Sequence, residues 1–101
     1  MTAVAKGSRT EKKCSDELKA QGYLIWKTIR HKYQNIDLFG LFDICALHPE
    51  GEHIRFIQVK TNRKADKATR EAIENLAMPE GCIKEIWVWF DRKGFTKWRI
   101  K

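Results

Sequence analysis

Apolar residues run together or alternate with polar ones in five strand-length segments, at 23–29, 41–47, 54–60, 83–90 and 95–100. Apolar residues at helical spacing instead predict helices over about 8–21 and 66–78, which end at Gly22 and before Pro79 and Gly81. The order helix, strand, strand, strand, helix, strand, strand predicts an α/β fold, with a mixed sheet flanked by helices and a crossover through the second helix. The polar stretch 30–35 is predicted to be a mobile loop.

The second and third strands are predicted to form a hairpin that gathers polar side chains. If Glu50 and Gly51 form a two-residue turn, Asp43 lies directly opposite Gln58, with Cβ atoms about 4.5–5.5 Å apart. Side chains alternate along a strand, so Gln58 and Lys60 share one face. An acid inside the apolar run 41–47 costs free energy unless it is paired or binds a metal. The hairpin therefore predicts one polar patch of acid, amide and ammonium.

The first helix is predicted to direct a carboxylate toward the body of the protein. Glu11 lies on the same helical stripe as Cys14 and Leu18, which are apolar. Ser8 and Glu11 also match the S-x-x-E capping box, in which the glutamate bonds back to the serine amide. Two interpretations of Glu11 thus remain open, a helix cap or a member of the polar patch.

The polar patch has structural alternatives of the same kind. Asp43 and Lys60 would form a plain ion pair in one of them. In the other, Gln58 and Lys60 lie on the solvated face of an edge strand. Against these stands a chemical interpretation, because carboxylate and amide oxygens are ligands that Mg²⁺ prefers, and a nearby lysine offsets negative charge on a phosphodiester under attack.

Composition favours a nucleic-acid partner for a single domain of 101 residues. Lys and Arg outnumber Asp and Glu by 20 to 13, and a net charge of +7 on a small body attracts polyanions. We expect contacts to DNA phosphates, or alternatively only solvated surface, from the basic residues that surround the patch: Lys6, Arg9, Arg30, Lys32, Arg63, Lys64, Lys67 and Arg70.

Cysteine usage and hydropathy predict a cytoplasmic protein. The three cysteines are widely separated, which suits reduced thiols, and no CxxC pair suggests structural zinc. No apolar run is long enough for a signal peptide or a membrane span, so we expect no membrane partner.

These residues resemble the PD-(D/E)xK nucleases, and most of all the small archaeal Holliday-junction resolvases. The pattern there is a glycine followed by a helical glutamate, an aspartate in an apolar strand, and an acid-x-lysine strand about a dozen residues later. Gly7, Glu11, Asp43 and the segment Gln58-Val59-Lys60 match it in order and spacing. Phe42 replaces the proline of the motif's name, and Gln58 replaces the usual acid, as in the Mrr-like restriction branch. The loss of that charge should weaken Mg²⁺ binding.

The resemblance implies a restriction-endonuclease-like fold and a Mg²⁺- or Mn²⁺-dependent DNA endonuclease. Asp43, Gln58 and the Val59 carbonyl would hold the metal, Glu11 would assist, and Lys60 would position the attacking water. The implied substrate is branched or junction DNA, cut by a homodimer, for which the apolar run Ile86 to Phe90 is a candidate interface. The alternatives are a nicking, repair or restriction-like endonuclease, and a catalytically inactive basic DNA-binding module.

Overall fold

The computed structural model describes the backbone of residues 3–30 and 35–100 and the side chains of residues 9–28 and 37–100. Within that part of the chain there are two helices and seven strands. In chain order they are α1 Ala3–Ala20, β1 Leu24–Lys27, β2 Ile29–Arg30, β3 Asn35–Ile36, β4 Ile44–Leu47, β5 Ile54–Thr61, α2 Lys67–Asn75, β6 Cys82–Phe90 and β7 Gly94–Ile100.

Five strands form one mixed sheet in the order β1-β4-β5-β6-β7. β5 and β6 are parallel, and the other neighbours in this sheet are antiparallel. A parallel pair needs a crossover connection, which α2 supplies between β5 and β6. The predicted α/β class, the element order and the crossover are confirmed.

Each helix covers a different face of the sheet. On one face, α1 packs its apolar stripe against the odd-numbered side chains of β5, and this cluster comprises Cys14, Leu18, Ile44, Ala46, Ile57, Val59 and Trp87. On the other face, α2 packs Ile73 against Phe42, Ile86, Val88 and Ile100, with Phe56 of β5 at its margin. Side chains therefore alternate along β5 between the α1 face and the α2 face.

The predicted register of the β4–β5 hairpin is confirmed. Ile44 pairs with Ile57, and Ala46 pairs with Arg55, which is the register inferred from a turn centred between residues 50 and 51. The predicted two-residue turn is wrong, because β4 ends at Leu47 and β5 begins only at Ile54. The connection 48–53 is centred on the same point, between residues 50 and 51, so the register is the same.

Three predicted boundaries are wrong. α1 begins at Ala3, so Ser8 and Glu11 lie inside the helix and do not form a capping box at its start. Short strands occupy Ile29–Arg30 and Asn35–Ile36, which pair with each other where the sequence predicted loop; residues 31–34 of that loop lie outside the described part. α2 ends at Asn75, before Pro79 is reached, and Lys84 Nζ donates to the carbonyls at its end.

Two functional interpretations of strands are also wrong. β5 lies between β4 and β6, so Gln58 and Lys60 are not on an edge strand. β6 is likewise a central strand, and its side chains Ile86, Trp87 and Val88 are at most 4% exposed within the single chain. Ile86 to Val88 belong to the core because both faces of the strand are covered there, whereas Trp89 and Phe90 are half-buried, so most of the predicted interface is not available to a second copy. In the part of the chain that the structure describes, no helix is long and apolar enough to cross a membrane.

Candidate active site

Asp43 lies at the point where β4 begins to pair with its neighbours. Its carbonyl accepts a hydrogen bond from the amide of Thr28 at 2.7 Å, which continues the β1–β4 ladder by one residue. Its amide donates to the carbonyl of Ile57 at 2.9 Å. The backbone of this acid is therefore held from both sides by the sheet.

The carboxylate of Asp43 binds a backbone amide of β5 at a place where the β4–β5 ladder supplies no carbonyl partner. Its Oδ2 accepts from the Val59 amide at 2.8 Å, and the residue is 7% exposed. The amide and carbonyl of one strand residue point to the same side, so the Val59 carbonyl is also directed toward the β4 side of β5, next to this carboxylate. β4 itself no longer pairs with β5 here, since Phe42 bridges to Leu38 instead.

Gln58 and Lys60 flank Val59 on the α2 face of β5. Both side chains are half-buried, whereas Ile57 and Val59 between and beside them point to the α1 face and are buried. The confirmed register ends at the pair Ile44 and Ile57, and the Asp43 amide also donates to Ile57, so the placement of Asp43 directly opposite Gln58 stays a prediction. The bond from the Val59 amide to Asp43 brings the acid beside the stretch of β5 that carries the amide and the ammonium.

Glu11 reaches the same end of β5 from the α1 face. It is 5% exposed, in line with the predicted stripe, and its neighbour Thr10 forms a 2.6 Å hydroxyl–hydroxyl hydrogen bond with Thr61, the residue after Lys60. Helix α1 also packs against β1 and β4. Glu11 therefore lies inside α1 rather than at a helix cap, on the face of the sheet opposite to the one that carries Gln58 and Lys60. Its membership of the polar patch stays a prediction.

The predicted DNA-contact residues fall into two groups in the structure. The side chains of Lys6, Arg30 and Lys32 lie outside the described part. The others are exposed, namely Arg9 on α1 and Arg63, Lys64, Lys67 and Arg70 on the β5–α2 connection and α2. Two of the exposed cations form ion pairs along the helix, Lys67 with Glu71 at 3.8 Å and Arg70 with Glu74 at 3.2 Å. Arg63 and Lys64 come directly after β5 and lie nearest to Lys60 in sequence.

Two polar residues of the site were not anticipated from sequence. Thr28 is buried, and its hydroxyl lies 3.3 Å from Asp43 Oδ1 and 2.9 Å from Asp37 Oδ1. Thr28 gave no signal in the sequence, because it lies inside the predicted strand 23–29 and no motif marks it. Asp37 lies two residues before Phe39-Gly40, and a glycine there is a turn signal. A turn at this place would have predicted that the chain folds back and brings Asp37 toward Asp43.

The donors predicted for the site suit a hard divalent cation by their chemical type. They are all oxygens: the Asp43 carboxylate, the Gln58 amide, the Val59 carbonyl and the Glu11 carboxylate. Mg²⁺ is usually held by one or two carboxylates together with water and substrate phosphates. Among the described residues no group of three His, Cys, Asp or Glu side chains is placed to hold a metal by itself. Such a site would thus depend on amide and carbonyl oxygens and on the phosphate of the substrate.

Comparisons with known proteins identify the fold. No family model and no curated protein matches the chain in sequence. Among solved structures it is similar to Hjc of Archaeoglobus fulgidus, a Holliday junction resolvase from an archaeal hyperthermophile, with a TM-score of 0.67 and 18% sequence identity. The similarity covers 93% of this chain and 72% of that protein. The chain therefore has the α/β fold of that resolvase.

Proposed function

We propose that this protein is a metal-dependent DNA endonuclease that hydrolyses phosphodiester bonds in branched DNA, as a Holliday-junction resolvase does. The observation that carries the proposal is the Asp43 carboxylate at the Val59 amide, beside Gln58 and Lys60 on the same hairpin. The fold shared with Hjc and the net charge of +7 support it independently.

The residues of the chain have distinct roles in this proposal. Asp43, Gln58 and the Val59 carbonyl hold Mg²⁺ or Mn²⁺, and Glu11 assists from α1. When bound, the metal polarises the phosphate and lowers the pKa of the attacking water. Lys60 orients that water and offsets the negative charge that develops on the phosphate. Asp43 is held rigidly by the Thr28 and Ile57 backbone, which keeps its carboxylate in place before the substrate arrives.

The basic residues after β5 would hold the DNA backbone on either side of the cut. Arg63 and Lys64 are exposed and lie in the connection that follows the strand carrying Lys60, after Asn62. Lys67 and Arg70 already have acidic neighbours on α2, so we assign them a smaller share of phosphate binding. Contacts of this kind position the duplex without reading its sequence.

A cleavage assay tests the proposal directly. A four-way junction and a linear duplex of the same arm sequences are incubated with the protein and Mg²⁺ or Mn²⁺. We expect symmetric nicks in the junction and little cutting of the duplex. Equal cutting of both, or of flaps and mismatches in preference, would favour the alternative of a nicking, repair or restriction-like nuclease.

Substitutions in the hairpin test whether this site performs the cleavage. Lys60→Ala and Asp43→Asn should each reduce cleavage at least about a hundredfold while junction binding in Ca²⁺ changes little, because they remove charge stabilisation and a metal ligand. The matched controls are Lys19→Ala and Asp16→Asn, which change exposed residues of α1. These two variants should cleave the junction as the wild type does. Normal cleavage by both hairpin variants would exclude the assigned site.

Gln58 favours one further candidate, a basic module that binds DNA but does not cut it. An amide in place of the usual acid leaves the metal site with one negative charge fewer. In that case the wild-type protein would bind junctions and show no cleavage at any Mg²⁺ or Mn²⁺ concentration, and Lys60→Ala would leave every measured property unchanged.

We extend the proposal to a homodimer, because two symmetric cuts need two active sites. Light scattering of the protein at micromolar concentration should give twice the mass of one chain. The interface would have to lie outside the segment Ile86 to Val88 of β6, whose side chains are enclosed in the monomer.

A further inference from the structure

A tight turn brings a second carboxylate beside Asp43. Leu38 and Phe42 are bridged as an antiparallel pair, and Phe39 and Gly40 between them both have positive φ, at 55° and 68°. Positive φ at two central residues is typical of the tightest hairpin turns. Asp37 and Asp43 follow this bridge on either side, and a carboxylate oxygen of each lies within 3.3 Å of the Thr28 hydroxyl. Two like charges so close repel each other, so this arrangement has a cost that calls for an explanation.

The hydroxyl of Thr28 lies between the two acids and has one proton for three oxygens. Asp37 Oδ1 is 2.9 Å away, the Asp43 carbonyl 3.1 Å and Asp43 Oδ1 3.3 Å. A hydroxyl donates one hydrogen bond and accepts others. The shortest of the three contacts is to Asp37, and a charged acceptor forms a stronger bond than a carbonyl does. The proton of Thr28 therefore goes to Asp37 rather than to Asp43.

We infer that Asp37 is a positioning residue of the metal site, which acts through Thr28 on Asp43. It holds the Thr28 proton, so that this hydroxyl does not compete with a cation for Asp43 Oδ1. It also places a second negative charge within about 6 Å of that oxygen, which partly replaces the charge missing at Gln58. The inference rests on the proposed function, because it assumes that Asp43 is a metal ligand.

The consequence of removing the charge follows from the same geometry. In Asp37→Asn the amide is the weaker acceptor, and the Thr28 proton turns to the charged Asp43. A metal must then break that hydrogen bond, so we expect Mn²⁺ to bind about tenfold more weakly. The loss should depend on the hydroxyl. When Thr28→Val is already present, adding Asp37→Asn should weaken binding clearly less than it does in the wild type, because no proton remains to be redirected and only the loss of the Asp37 charge is left.

Mn²⁺ titrations followed by electron paramagnetic resonance, without DNA, measure this coupling. The proteins compared are the wild type, Asp37→Asn, Thr28→Val, the double variant and Thr28→Ser, with thermal unfolding as a check of folding. Thr28→Ser keeps the hydroxyl and should bind Mn²⁺ as the wild type does. Thr28→Ala replaces Thr28→Val in the cycle if the valine variant does not fold.

Three results would overturn the inference: Asp37→Asn binding Mn²⁺ as tightly as the wild type, an equal loss with and without the Thr28 hydroxyl, or wild-type binding that survives Asp43→Asn. Failure of the proposed function looks different. In that case the wild type binds Mn²⁺ through Asp43 with the expected coupling to Asp37, yet cleaves neither junctions nor duplexes.

Discussion

The amide at position 58 offers the sharpest test of how this site is balanced. In Gln58→Glu a second carboxylate is added next to Val59, whose amide binds Asp43; in the predicted register its Cβ atom lies about 5 Å from that of Asp43. Two unit charges at that distance repel by about 3 kcal/mol at an effective dielectric constant of about 20. Residue 58 is half-buried, so solvent screens part of this, and we expect a loss of about 2 kcal/mol in the free energy of unfolding without metal. For a domain of this size that corresponds to a Tm lower by about 10 °C.

Metal should cancel this loss. The added carboxylate attracts the doubly charged Mg²⁺, and we expect the metal to bind about 30-fold more tightly, the equivalent of about 2 kcal/mol at saturation. Thermal unfolding with chelator measures the loss of stability without metal, and thermal unfolding with saturating MgCl₂ measures how much of it the metal restores. The Mg²⁺ concentration for half-maximal junction cleavage should fall in parallel.

The control for this prediction is Gln21→Glu, the same chemical change at an exposed position after α1. It should alter neither the metal-free Tm nor the response to Mg²⁺. The reasoning would be refuted if Gln58→Glu behaved like this control, since Asp43 and residue 58 would then not share one electrostatic environment. A lower Tm that Mg²⁺ does not restore would equally contradict a shared metal site.

Two predictions concern α2, which covers the face of the sheet that carries Gln58 and Lys60. Lys84→Met should lower the free energy of unfolding by about 1–3 kcal/mol, because the buried Nζ donates to the carbonyls of Ile73, Glu74 and Leu76. Lys93→Met, at an exposed turn, is the control. Equal Tm values for the two variants would contradict this role of Lys84. Asp66→Ala should lower the Tm at pH 7, because Asp66 Oδ1 accepts from the Thr69 amide at the start of the helix. That bond holds the pKa of Asp66 below its ordinary value. The Tm difference between Asp66→Ala and the wild type should therefore be largest above the ordinary pKa of an aspartate and should vanish as the pH falls through the lowered pKa. A difference that is constant down to about pH 2, which is about two units below the ordinary pKa, would argue against the cap.

The choice of glutamine is consistent with the neighbourhood that the structure gives to Asp43. A third carboxylate on β5, added to Asp37 and Asp43, would raise the repulsion in a partly buried space. Asp37 lies on the loop side of Asp43, and its charge is available to the site without occupying a position on β5. The departure from the motif and the unexpected acid thus have one electrostatic explanation.

Local sequence determined the elements and the register of the hairpin. Alternation along β5 separates Gln58 and Lys60 from Ile57 and Val59 whatever the rest of the chain does, because a strand has a period of two. The helical stripe with Cys14 and Leu18 likewise fixes the inward direction of Glu11. These properties arise from neighbours in the chain, and the structure agrees with them.

Only tertiary structure decided which strands are central, where α1 begins and which residues surround Asp43. An apolar run such as Ile86 to Phe90 has the same pattern in a core as at an interface, and the difference depends on the covering by β5, β7 and α2. The meeting of Thr28, Asp37 and Asp43 needs two ladders and a turn at once. Periodicity reports the direction of a side chain from its own element, whereas the partner across a ladder is fixed by packing between segments that are distant in sequence.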